Sequence, residues 1–167
     1  NIYLLDLSVR TDGSSEFGSD KRFAPFWSAG IGWNIHRENF MSNVDWINRL
    51  KIRASVGETG SNNFSAYEAM VTYTYSLSDR YYNWMGANLK ALANPDLEWQ
   101  TTLDKNIGFD ITILNNRLTL TGDYYYKTTD PLLIAISMPP SSGATDNMTY
   151  KNFGKQTSKG FTASATY

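Results

Sequence analysis

Few residues in this chain could do chemistry, and their spacing limits what that chemistry could be. Asp6, Asp104, Asp110 and Asp123 are the carboxylates that could pair for general acid–base work, but they fall on the polar faces of separate strand-like segments, where a wet wall is the simpler reading. His36 is the single histidine and cysteine is absent, so zinc sites, thiolate nucleophiles and serine–histidine triads lack their parts. Asp12, Ser14, Ser15, Glu16 and Asp20 offer oxygen ligands in a loop without EF-hand spacing, and read as a solvated turn. The sequons at Asn63-Phe64-Ser65 and Asn147-Met148-Thr149 read as chance matches. The informative cluster is aromatic. Tyr73, Tyr75, Tyr81, Tyr82 and Trp84 crowd one long loop, and such rings can stack on a ligand, anchor a protein partner or form a small local core. No enzyme, no cofactor and no metal is expected.

Composition narrows the partners. The formal net charge is −1 and there is no basic run, so nucleic acid is not an expected partner. Mean hydropathy is −0.41, and no apolar run approaches the roughly 20 residues of a membrane helix. A barrel wall needs no such run, because only alternate residues face lipid.

The elements that carry these residues alternate with period two. Around Pro25, in PFWSAGIGWNIHRENFM, Trp27, Ala29, Ile31, Trp33 and Ile35 share one face, while Phe26, Ser28, Gly30, Gly32 and Asn34 share the other. The same alternation runs through residues 1–10, 50–57, 97–113, 118–127 and 158–167, which predicts six antiparallel strands in up-and-down order. The connectors are residues 11–24, 37–48, 58–94, 114–117 and 128–154. Three long connectors fall at one end and two shorter ones at the other. Residues 37–48 are expected to include a short helical turn, and VTYTYS to open a small hairpin. Ten strand residues tilted near 40° rise roughly 25 Å, the height of an outer-membrane barrel's apolar band. Trp27, Trp99, Tyr124 and Tyr126 near strand ends suit membrane interfaces. Trp27 and Trp33 lie too close in height to mark opposite interfaces, which leaves Trp33 deeper in the band or towards the turn side. Lys105 is the blemish: a mid-bilayer lysine costs about 2–4 kcal/mol, so it is expected to snorkel or be shielded.

The runs VRTDGSSEFGSDKRFAPFWSAGIGWNIHRENFM, LKIRASVGETG, NPDLEWQTTLDKNIGFDITILNNRLTLTGDYYYKTTDPLL and GKQTSKGF resemble the carboxy-terminal barrel of SusC/RagA-type TonB-dependent outer-membrane transporters of Bacteroidota. The resemblance implies a wall of about six strands from a 22-stranded barrel. Residues 1–167 would all belong to one barrel domain, with the plug and the TonB-contacting parts outside this sequence. It implies import of glycan oligosaccharides or peptides across the outer membrane, a SusD-like surface lipoprotein as lid, the TonB complex as energy source and outer-membrane lipid around the wall. Gly30 and Gly32 would keep the inner wall thin for the plug. Two rival architectures share the alternation. A soluble β-sandwich, such as a carbohydrate-binding module, would bury Ile31, Ile52 and Ile107 together between sheets. A passive porin or adhesin barrel would share the wall without the plug.

Overall fold

The computed structural model describes residues 1–17, 21–62 and 67–167; the side chain of Tyr81 lies outside the described residues, as do Asp20 and the sequon at residues 63–65. Ten strands form: β1 (Tyr3–Gly13), β2 (Phe23–Asn34), β3 (Ile47–Ser61), β4 (Thr72–Tyr81), β5 (Trp84–Ala91), β6 (Gln100–Ile113), β7 (Leu118–Thr129), β8 (Leu133–Ser137), β9 (Met148–Asn152) and β10 (Gln156–Thr166). Six of them build one antiparallel sheet in the order β1-β2-β3-β6-β7-β10, and β4-β5 and β8-β9 form separate hairpins. In the described sheet β1 and β10 have one neighbour each, so the barrel is not closed within this chain.

β1, β3 and β7 run past their expected ends because their polar ends continue the ladder, whereas β6 begins three residues later than expected, at Gln100. β3 reaches Ser61 by pairing with β6 up to Ser61↔Gln100. Between β2 and β3 lie two 3-10 turns, Ile35–Arg37 and Asn39–Met41. The β6–β7 connection is tight: Leu114, Asn115 and Asn116 take φ of 56°, 53° and 68°, a left-handed run that asparagine tolerates better than most residues. The connector at residues 128–154 is not wholly irregular. It contains the β8-β9 hairpin, whose short LIAIS strand falls between Pro131 and the Pro139-Pro140 pair, so no proline removes a ladder donor.

Register gives the sheet two unlike faces. One row across the outer face runs Leu5↔Ile31↔Ala54↔Ile107↔Tyr124↔Phe161, through all six strands. These side chains are not covered: Ile31 is 61 %, Ile52 41 % and Ile107 62 % exposed. The sandwich expectation, that these three bury together, is therefore contradicted. Bare rows of large apolar residues suit a hydrocarbon solvent, which strands can cross although among the described residues no helix is long and apolar enough to do so.

The tightest packing lies elsewhere, at the loop end of the sheet. Phe26 is 1 % and Leu97 0 % exposed. Phe26 stands beyond the last β2–β3 pair, Ser28↔Gly57, and its ring fills the space that Gly60 leaves by having no side chain. Trp99 meets it edge-on at 5.8 Å, and Phe17 lies 4.7 Å from Trp99. The periodicity put Trp99 on the apolar face of a strand. Instead it precedes β6, its Nε1 donates to Arg22 O at 3.3 Å, and it belongs to this cluster.

Two outcomes follow from these faces. In plain buffer, without detergent, the isolated chain is expected to aggregate; a monodisperse monomer that unfolds cooperatively there would contradict a lipid-facing wall. Within the complete barrel, Phe26→Ala should cost about 3–5 kcal/mol, read as a lower denaturant midpoint with an unchanged slope.

Candidate functional site

The inner face of the sheet is small, polar and ion-paired. β3 presents Arg53 opposite Gly108 of β6, which in turn faces Asp123 of β7. Because Gly108 has no side chain, Arg53 reaches over it: Nη2 lies 2.8 Å from Asp123 Oδ2 and 3.4 Å from Asp110 Oδ1. A Cβ at position 108 would fall on Asp123 Oδ1 and within 3.1 Å of Arg53 Cζ and Nε. Lys127 of β7 pairs with Asp104 of β6 at 2.9 Å. Arg53 Nε and one oxygen each of Asp104 and Asp123 are enclosed without a hydrogen-bond partner. A trough of about 730 Å³ runs along this face, with Asp6, Ser28, Gly30, Lys51, Arg53 and Asn106 among its lining residues. Gly30 leaves that wall open, with nothing nearer than 3.8 Å to a Cβ built on it, whereas Gly32 is already covered by Lys51 and Leu4. Asp104, Asp110 and Asp123 thus face cations rather than one another. A pair of carboxylates free to exchange a proton does not form among them.

The aromatic loop becomes the β4-β5 hairpin. Tyr73 pairs with Leu89 and Tyr75 with Ala87, which puts Tyr73, Tyr75 and Leu77 on one exposed face. Tyr82, at φ 57°, and Asn83 make the tip, followed by exposed Trp84. The expectation of a small local core is not met, since these rings are not buried by the hairpin. Its other face is polar. Thr74, Ser76, Asn88 and Lys90 line a cleft of about 450 Å³ with Thr145 and Asp146 from the loop between β8 and β9. Asn88 donates to Asp79 at 2.9 Å and, with Ser76, holds the Asp79 carboxyl below its usual range. Burial and the nearby Asp146 push Glu68 above its usual range, with Lys90 opposing.

The two long loops are joined by backbone. Thr145 N–H donates to Leu89 O and Asp146 N–H to Lys90 O, both at 2.9 Å. Lower down, Glu98 N–H donates to Asn152 Oδ1 at 3.0 Å while Asn152 Nδ2 donates to Glu98 O at 2.7 Å, so one asparagine side chain copies a strand pairing. Asn94 Nδ2 donates to Tyr150 O at 2.6 Å.

At the turn end, sequence reasoning missed an anchor. Tyr3 and Trp33 are directly paired across β1 and β2, and their rings stack at 6.3 Å. Tyr3 OH and Trp33 Nε1 both donate to Glu38 Oε1, at 2.7 and 3.0 Å. Trp33 therefore sits at the turn side of the band, six residues from Trp27 at the loop side. The available signal was a carboxylate five residues after an outward-facing Trp. Tyr124 and Tyr126 stand on the outer face of β7 as expected. His36 donates from Nδ1 to Leu50 O at 3.1 Å, in keeping with a residue of the turn-side rim. Among the described residues no cluster of three or more metal-binding side chains occurs.

Known proteins share this fold over nearly the whole chain. The family model described as TonB dependent receptor-like, beta-barrel, matches residues 2–167. TonB-dependent receptor P39 of Formosa agariphila is 37 % identical over 142 residues, covering 84 % of this chain and 13 % of that protein. TonB-dependent receptor SusC of Bacteroides thetaiotaomicron is 35 % identical over 162 residues, covering 92 % and 16 %. A solved structure of the RagAB peptide transporter superposes with a TM-score of 0.89 at 32 % identity, covering 98 % of this chain and 18 % of that one. The chain thus spans less than a fifth of the length of these relatives.

A methyl group at position 108 tests the inner-wall bridge. Gly108→Ala is expected to displace Arg53 from Asp123 and lower barrel stability by about 1.5–3 kcal/mol, measured by denaturant titration. Gly30→Ala, whose added methyl meets nothing nearer than 3.8 Å, should leave the midpoint unchanged.

Proposed function

The chain belongs to the TonB-dependent receptor β-barrel family, and from that premise we propose that residues 1–167 form six wall strands and two loop assemblies of an outer-membrane nutrient importer. The remaining strands, a plug and the TonB-contacting region belong to the rest of that protein. The observation that carries this reading is the sheet's division into an uncovered apolar face, with Ile31, Ile52 and Ile107 exposed, and an ion-paired polar face. In a closed barrel the first meets lipid and the second lines the lumen. The family is one of receptors and transporters rather than enzymes, so the inner carboxylates tune a wall and not a reaction.

In this reading the loop end faces outside the cell and the turn end faces the periplasm. Trp27, Tyr124 and Tyr126 sit towards the outer interface, and the Tyr3–Trp33–Glu38 unit marks the periplasmic one. The cargo is a short oligomer, a glycan or a peptide; a peptide is what the RagAB transporter is named for, and both cargo classes suit exposed tyrosine rings beside a polar cleft. A surface lipoprotein of the SusD type covers the loops. The joined hairpins, with Tyr73, Tyr75 and Trp84 exposed, offer contact area for cargo or lid. A passive porin does not fit a match to a receptor family over residues 2–167.

The test is uptake by cells carrying the complete receptor. Replacing Tyr73, Tyr75 and Trp84 together by serine should cut uptake at least tenfold while the protein still reaches the outer membrane. Offering oligosaccharides and oligopeptides in parallel assigns the cargo class. Normal uptake by the triple variant would remove the hairpin from the mechanism, and absence of the protein from the outer-membrane fraction would remove the wall reading.

A further inference from the structure

Import does not account for two cations on the apolar face. Lys105 of β6 and Lys159 of β10 both point outward and both are exposed. Tyr126 of β7 pairs directly with each of them, Lys105↔Tyr126 on one side and Lys159↔Tyr126 on the other. Two strand spacings separate the lysine backbones by roughly 10 Å, and their long flexible stems allow both ammonium groups to meet one anion above the tyrosine ring.

Among the described residues their charge is uncompensated. Inner-face Arg53 and Lys127 have carboxylates at 2.8 and 2.9 Å, whereas among the described residues no carboxylate lies within 4.0 Å of Lys105 or Lys159. Glu58 is the acid on the same face. It stands diagonally from Lys105, since Glu58 pairs with Leu103 and Val56 with Lys105, and it makes no ion pair with it. Their position is equally informative. Lys105 lies five residues from the loop end of Gln100–Ile113, and Lys159 three residues from the loop end of Gln156–Thr166. The next row towards the turn end is the uncharged Ile107, Tyr124 and Phe161. The lysines therefore mark the border where the apolar band meets the outer headgroup layer. Unpaired ammonium groups there select an anion, and the apolar row beneath them selects one that carries acyl chains.

We propose that Lys105 and Lys159, with the Tyr126 hydroxyl between them, bind the phosphate of an anionic glycolipid in the outer leaflet, whose chains lie along Ile107, Tyr124 and Phe161. This rests on the wall reading above. The site takes lipid, not cargo, and fixes this sector of the wall at a defined depth.

The experiment uses the complete receptor in detergent, with phosphorylated lipid A, dephosphorylated lipid A and inorganic phosphate as separate probes in native mass spectrometry. The unaltered receptor should bind phosphorylated lipid A at least tenfold more tightly than the dephosphorylated form. The double variant Lys105→Gln with Lys159→Gln should lose that preference, and Lys105→Arg with Lys159→Arg should keep it. Heat-modifiable mobility on a gel confirms that each variant is a folded barrel. Equal binding of the two lipid forms by the unaltered receptor, or a preference retained by the folded glutamine variant, would overturn the proposal and leave the wall reading standing. Inorganic phosphate that competes as well as the lipid would replace it with a simple anion site. A receptor absent from the outer membrane would overturn both.

Discussion

A strand that crosses hydrocarbon can satisfy its N–H and C=O groups only on a neighbouring strand. For the proposed wall that constraint fixes the rest of the structure. It requires the unbroken ladders from β1 to β10, and those ladders fix which residues stand side by side. Because side chains alternate, one register then decides two surfaces together: the row from Leu5 to Phe161 on the outside, and the row holding Arg53, Gly108 and Asp123 on the inside. A slip of one residue would exchange them and put Arg53 and Asp123 into lipid.

Stability is divided accordingly. A soluble domain of this size would bury its large apolar residues in a core. In the proposed wall the apolar face needs no protein cover, and among the described residues the large side chains exposed by 2 % or less, Phe17, Phe26 and Leu97, lie at the foot of the loops. Glycines do part of the fitting. Gly60 admits the ring of Phe26, Gly108 admits the Arg53 bridge, and Gly122 lies under the ring of Phe109. In each case a missing side chain on one strand lets a large one on its neighbour lie flat.

The loops follow a different rule. They stand in water, so their backbone can be satisfied by any partner. They use one another: Leu89 and Lys90 accept from Thr145 and Asp146, and Asn152 brackets the backbone of Glu98. Two segments more than fifty residues apart in sequence therefore form one platform above the wall, with an aromatic face and a polar cleft.

The sequence alone determined the six wall strands, their faces, the up-and-down order and the tight turn at residues 114–117, because period-two alternation is a local signal that each strand carries in full. It also determined the family, through four blocks in one order. It could not place Trp99, whose spacing continued the alternation of β6 although the ladder begins at Gln100; packing against Phe17 and Phe26 took precedence over periodicity. Nor could it find the β8-β9 hairpin, because five-residue strands give too few repeats to read. Only the tertiary structure decided what lies across from what: Arg53 beside Asp123, Trp33 bonded to Glu38, and Lys105 and Lys159 on either side of Tyr126. Those partners are 70, 5, 21 and 33 positions apart in the chain. The 3-10 turn at Ile35–Arg37 brings Glu38 back to Trp33, and the register between strands brings the other three pairs together.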